Sequence, residues 1–252
     1  RDGNQPNLTN NSMKYLAEEL AQNGVASVRY DKRGIAKSAV PGFSNASVIF
    51  EDYVTDATNW VKHLKAQNKY AKVYVAGLSE GSLIGMLAAQ RAGADGFISL
   101  NGTGRTADEI IVYQISKQGT PQPVIDELKG IIKKLKNDEE IKDVPPYLMS
   151  LFNPDIQPYM KSWFSYEPAV SIGLLDKPVL IIQGKNDIQV EVLDAELLKK
   201  GSKNGKLVLV DGMNHILKNA DSDPQLNFAT YNNPELPLNT TVLSEILKFI
   251  QP

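Results

Sequence analysis

Ala71-Lys72-Val73-Tyr74-Val75-Ala76-Gly77-Leu78-Ser79-Glu80-Gly81 runs from an apolar, β-prone hexapeptide straight into a G-x-S-x-G pentapeptide. The next ten residues, Ser82-Leu83-Ile84-Gly85-Met86-Leu87-Ala88-Ala89-Gln90-Arg91, read as a helix, with small residues at Gly81, Gly85, Ala88 and Ala89 suited to packing on a sheet. A serine on a sharp strand-to-helix turn is strained, and crowding on both sides favours glycine two residues before and after it. The turn presents the hydroxyl above the sheet edge. The pattern alone arises by chance in roughly one chain in ten of this length. Strand, turn and helix in the required order give it weight.

The alternation continues on both sides of this unit. Residues 13–23 carry apolar side chains at helical spacing, with Asn11 or Ser12 as cap and Gly24 as terminator. Residues 25–30 read as a buried strand, and residues 52–67 as an amphipathic helix with Val54, Ala57, Trp60, Val61 and Leu64 on one face. Strands are expected at 96–101, 178–183 and 206–210, and helices at 190–200 and 240–250. Such alternation predicts an α/β fold, a mostly parallel sheet flanked by helices. Between about 105 and 165 the rhythm breaks into helical segments at 110–117, 123–137 and 146–152. This predicts a core formed by 1–104 and 166–252, with a helical lid inserted at 105–165. Tyr113, Phe152 and Trp163 of the lid, with Leu78 and Met213 of the core, are the residues expected to line a substrate pocket. The lysines at 129, 133, 134 and 136, followed by Asp138, Glu139 and Glu140, read as a solvated helix surface.

Composition narrows the chemistry. The 252 residues suit one α/β domain with an insertion, and 42% hydrophobic content supports a large core. With 22% charged residues and a net charge of −2, there is no electrostatic footprint for nucleic acid or an anionic membrane. The absence of cysteine excludes disulfides, thiolate catalysis and cysteine-ligated metals, and leaves the compartment open. Two histidines argue against a histidine-rich metal centre. No apolar run reaches the 18 residues of a membrane span. The chain opens at Arg1-Asp2-Gly3-Asn4-Gln5-Pro6 with a helix as its first patterned element, so its native start is expected upstream.

Ligands of open α/β sheets bind at the carboxyl ends of strands. Ser79, Asp187 and His215 all follow predicted strands. A serine hydroxyl needs a base to become a nucleophile at neutral pH, and imidazole titrates in the useful range. The imidazole in turn needs an acceptor that holds its tautomer. His215 is the sole histidine after Ser79; the other, His63, lies in the middle of a predicted helix. Asp187 is the preferred acid, with Asp194, Asp211, Asp221 and Asp223 as alternatives. The backbone N–H of Glu80, at the start of the elbow helix, is one expected oxyanion donor. The chemistry points to a serine hydrolase and requires neither metal nor organic cofactor; the first hypothesis for its substrates is carboxylic esters of small to medium acyl groups. A peptidase or acyltransferase with the same three residues is an alternative. Peptidase action would call for an amine-capturing carboxylate, for which Glu139, Glu140 and Glu167 are candidates. A non-catalytic ligand binder retaining the fold is the third reading.

The elbow at 77–81, the Gly-x-x-Asp at 184–187, the Gly212-Met213-Asn214-His215 turn and the Tyr30-Asp31-Lys32-Arg33-Gly34 loop together resemble the α/β-hydrolase superfamily. Within it they are most similar to the bacterial esterase and serine-aminopeptidase-like group, over nearly the whole chain and least in the lid. The resemblance implies Ser79 as nucleophile, Asp187 as acid and His215 as base. It also implies that the first three strands and the loop carrying the second oxyanion donor lie at or upstream of Arg1. Ala36 stands where the group usually has glycine.

Overall fold

A computed structural model describes residues 2–5 and 7–251. In chain order the elements are α1 (Ser12–Gln22), α2 (Phe50–Ala66), β1 (Tyr74–Leu78), α3 (Glu80–Ala92), β2 (Gly96–Leu100), α4 (Ala107–Lys117), α5 (Gln122–Lys136), α6 (Met149–Phe152), α7 (Gln157–Phe164), α8 (Pro168–Ser171), β3 (Val179–Gly184), α9 (Val192–Gly201), β4 (Gly205–Val210), α10 (Pro224–Ala229) and α11 (Thr240–Ile250). Among the described residues the strands form one parallel sheet in the order β1-β2-β3-β4. The register pairs Leu78 with Leu100 and Leu100 with Ile182.

Strand residues alternate between the two faces, which is why both are covered. Phe97, Val179 and Ile181 pack with Phe50, Val54, Leu83 and Met86 of α2 and α3. Ile98, Leu100, Leu180 and Ile182 face the other way, onto Leu16, Val242 and Ile246 of α1 and α11. Neither Asn11 nor Ser12 caps α1 through its side chain: Asn11 stands at the N-cap without such a bond, the Ser12 hydroxyl donates to the Ile216 carbonyl, and the Asn10 carboxamide accepts the Ser12 N–H. Gly24 takes a left-handed φ of 74° after α1, and the Asn239 side chain caps α11.

The segment 107–164 contains no strand among the described residues. Its helices enclose their own core around Leu128, Leu135, Phe152 and Met160. Buried Gln157 fastens this core, donating to the Ile141 and Phe152 carbonyls and accepting from the Ile141 N–H. Where the segment leaves β2, fully buried Asp194 of α9 accepts from the Gly104 and Arg105 N–H groups and from the Arg105 guanidinium.

Two further expectations need correction. Residues 25–30 form no strand and are largely exposed. An apolar pattern supplies only half of a strand, and the ladder supplies the rest. No strand lies beside 25–30 among the described residues, and β1 is the sheet's edge with Ala76 exposed. Trp60 does not join the buried face of α2 either; it is 40% exposed and stacks on Tyr30.

Candidate active site

Ser79 occupies the turn between β1 and α3 at φ 55° and ψ −125°, a conformation that L-residues rarely adopt. The Ser79 N–H donates to the Leu100 carbonyl at 3.0 Å, so the neighbouring strand holds the turn down. The two glycines of the pentapeptide play unequal parts. A Cβ on Gly77 would lie 2.0 Å from the Gly81 carbonyl oxygen, whereas a Cβ on Gly81 would meet nothing within 4 Å. The first glycine is a steric requirement of the elbow; the second contributes its backbone. Glu80 opens α3, and its N–H has no acceptor among the described residues, as for any first-turn donor. The second oxyanion donor expected at or upstream of Arg1 lies outside the described residues.

The acid and base candidates meet. His215 Nδ1 lies 2.7 Å from Asp187 Oδ2, with both side chains buried. A carboxylate facing Nδ1 places the ring proton there and leaves Nε2 as the acceptor. Asp187 Oδ1 accepts from the Gln189 and Val190 N–H groups at 2.7 and 3.0 Å, which fixes the carboxylate. Gly184 permits this approach, because a Cβ there would sit 2.2 Å from the Met213 carbonyl oxygen. The Asn186 N–H donates to that same carbonyl at 3.0 Å, joining the two loops.

The loop bearing His215 is tied at each end. Asn214 and Lys218 exchange hydrogen bonds, Asn214 N–H to the Lys218 carbonyl and Lys218 N–H to Asn214 Oδ1. Lys218 is fully buried; its ammonium donates to the Asn233 carbonyl at 2.8 Å and lies over the Tyr15 ring, and burial lowers its pKa. Burial, and then the negative charge of Asp187, raise the Tyr231 hydroxyl.

One residue of this region was not among the expected site residues. Asn101, directly after β2, is fully buried at φ 44°. Its Oδ1 accepts the Gly184 N–H at 2.8 Å, and its Nδ2 donates to the Asn214 and His215 carbonyls at 3.0 and 2.9 Å. The available cue was a buried amide closing an apolar strand at its carboxyl end, where sites of this fold class gather.

The remaining candidates disperse. Asp194 is engaged with Arg105, Asp211 is exposed and pairs with Lys185, and Asp221 and Asp223 cap the turn into α10. His63 is exposed beside Gln67. Asp31 accepts the Lys37 N–H, and Arg33 binds Asp52 and Asp56. Of the pocket candidates, Phe152 and Met213 are fully buried in different cores, Trp163 stacks on Phe50, Tyr113 lies under the Arg105 guanidinium, and Leu78 packs beside Met213's core. The Glu80 carboxylate reaches away from the turn to Lys32 and to the Tyr159 hydroxyl of α7. Burial and then Glu80 raise that hydroxyl's pKa strongly. Cavities of about 610 Å³ between α4 and α5 and about 470 Å³ beside α2 include none of Ser79, Asp187 and His215 in their walls. No metal-binding cluster is present, and no helix is long and apolar enough to cross a membrane, among the described residues.

Residues 9–143 match the family described as serine aminopeptidase, S33, and the chain belongs to that family of α/β hydrolases. It is 29% identical over 214 residues to esterase EstD of Thermotoga maritima, covering 82% of this chain and 50% of EstD. The chain thus spans half the length of that relative. Est1E of Butyrivibrio proteoclasticus, solved with ferulic acid bound, matches with a TM-score of 0.58 at 20% identity over 96% of this chain and 84% of Est1E. A thermophilic esterase from Thermogutta terrifontis gives a TM-score of 0.57 at 17% identity over 97% of this chain and 86% of that one. These likenesses define the α/β-hydrolase fold.

Proposed function

We propose that this chain hydrolyses carboxylic esters of small to medium acyl groups through an acyl-enzyme on Ser79. One observation carries the reading: a strained serine turn and a buried His–Asp pair are both hydrogen-bonded to the end of β2, at Leu100 and Asn101. His215 Nε2 takes the Ser79 proton as Oγ attacks the ester carbonyl carbon, and Asp187 stabilises the imidazolium. The Glu80 N–H faces the developing oxyanion, aided by the positive end of α3. Collapse breaks the carbonyl–alkoxy bond, and the imidazolium protonates the departing alcohol. Water, deprotonated by His215, then attacks the acyl carbonyl; the acyl–Oγ bond breaks, the imidazolium returns its proton to Ser79 Oγ, and the acid is released. Residues 105–165 act as the lid over the acyl group.

The family's aminopeptidase description makes amide cleavage the second reading. Recognition of a free amine calls for a carboxylate close to the serine. The Glu80 carboxylate is already engaged by Lys32 and Tyr159, and Glu139, Glu140 and Glu167 are exposed. This favours esters. The test is turnover of short acyl p-nitrophenyl esters by the full chain against Ser79→Ala, with aminoacyl amides in parallel. The expected result is ester turnover lowered by about 10⁴-fold or more in Ser79→Ala, with little amide cleavage by either protein. Equal ester rates would remove the reading.

A further inference from the structure

Three of the backbone groups that fix the acid and base loops end on a single side chain. We propose that Asn101 is a positioning residue for catalysis, setting the distance between the Asp187 and His215 loops through one carboxamide. The inference rests on the assignment of Ser79, His215 and Asp187 as a catalytic set.

The partners fix the orientation of the amide. Gly184 N–H can only donate and the Asn214 and His215 carbonyls can only accept, so Oδ1 and Nδ2 are assigned by chemistry. All the bonds are 2.8–3.0 Å long and lie where the side chain is fully buried. Gly184 ends β3 and is three residues before Asp187; the His215 carbonyl belongs to the base itself. The Asn101 backbone is in turn bound to β3, its N–H donating to the Ile182 carbonyl at 2.9 Å, and the preceding Leu100 carbonyl holds the Ser79 N–H. Consecutive residues of one strand end therefore touch all three loops.

The chemistry demands this side chain. Aspartate could accept from Gly184 but has no donor for two carbonyls, and it would press negative charge against them. Glutamine is one methylene too long for a packed site. The left-handed φ of 44° suits asparagine and glycine better than other residues, which separates backbone strain from loss of the amide.

The experiment compares Asn101→Gly, Asn101→Asp and the remote core variant Val61→Ala with wild type and Ser79→Ala. Glycine keeps the backbone conformation and deletes the amide. In Asn101→Gly we expect kcat for a p-nitrophenyl ester to fall by about 10- to 100-fold, with KM changed by less than about threefold. The downfield proton resonance of the His215 Nδ1–H···Asp187 bond should shift or broaden, while Val61→Ala leaves both intact at comparable loss of Tm. A kcat and a resonance in Asn101→Gly equal to those of Val61→Ala would overturn the proposal. So would a fully active Asn101→Asp. If Asn101→Asp fails to fold, Asn101→Gly alone decides. Ser79→Ala with wild-type turnover would instead remove the underlying reading, and the positioning role with it.

Discussion

Replacing Gly77 with alanine puts a methyl group 2.0 Å from the Gly81 carbonyl oxygen, 2.4 Å from its carbonyl carbon and 2.8 Å from the Ser82 nitrogen. Non-bonded atoms settle about 3.5 Å apart, so the elbow must open by about 1.5 Å. None of the obstructing atoms can rotate away, since all belong to the backbone of the first turn of α3. Overpacking destabilises by about 1–3 kcal/mol, and displacement of backbone places Gly77→Ala at the upper end, about 3 kcal/mol. With a urea m-value of about 2–3 kcal/mol/M, the midpoint falls by about 1–1.5 M. Gly81→Ala provides the contrast: its Cβ meets nothing within 4 Å, and alanine is the better helix former by about 0.5–1 kcal/mol. Its midpoint should rise by about 0.2–0.5 M. Urea unfolding of both variants, followed by far-UV circular dichroism, is the assay. A Gly77→Ala midpoint within about 0.2 M of wild type, or equal losses in the two variants, would refute the steric account of the elbow.

Asp187→Asn keeps the shape of the acid but lets an amide donate to His215 Nδ1, which turns Nε2 from acceptor to donor; ester kcat should fall by about 10⁴-fold, and a loss under tenfold in steady-state assays would contradict the assignment. Glu51, bound by Arg91 and Tyr166, has its carboxyl held below the ordinary glutamate value, chiefly by hydrogen bonding from Arg91. Its stabilisation is therefore complete above that ordinary value and is lost as pH falls through the lowered one. The stability gap between wild type and Glu51→Gln should shrink on acidification across that window, and a gap constant in pH-dependent urea unfolding would count against it.

Much of the architecture was legible because it rests on local patterns. The expected strands at 96–101, 178–183 and 206–210 appear at Gly96–Leu100, Val179–Gly184 and Gly205–Val210, and the closing helix is Thr240–Ile250. Residues 25–30 failed because their β-prone composition says nothing about a neighbour to pair with. Trp60 failed for a related reason: it borders the apolar stripe of α2, and its ring packs on Tyr30 and His63 instead of entering the core. At the site, Ser79, Asp187 and His215 could be singled out because each carries reactive chemistry after a strand. Asn101 could not, because its role lies in backbone groups more than 80 residues downstream that the fold alone brings to it.

The register of β2 against β3 has a consequence for refolding. Leu100 pairs with Ile182, and Asn101 sits one step beyond. Slipping a strand by one residue turns its side chains to the opposite face. In a molecule so misaligned, the Asn101 amide would lose Gly184 and both carbonyls together, and the strand's side chains would enter the wrong cores. Under the proposed function, ester turnover recovered on refolding would then count only the correctly aligned molecules.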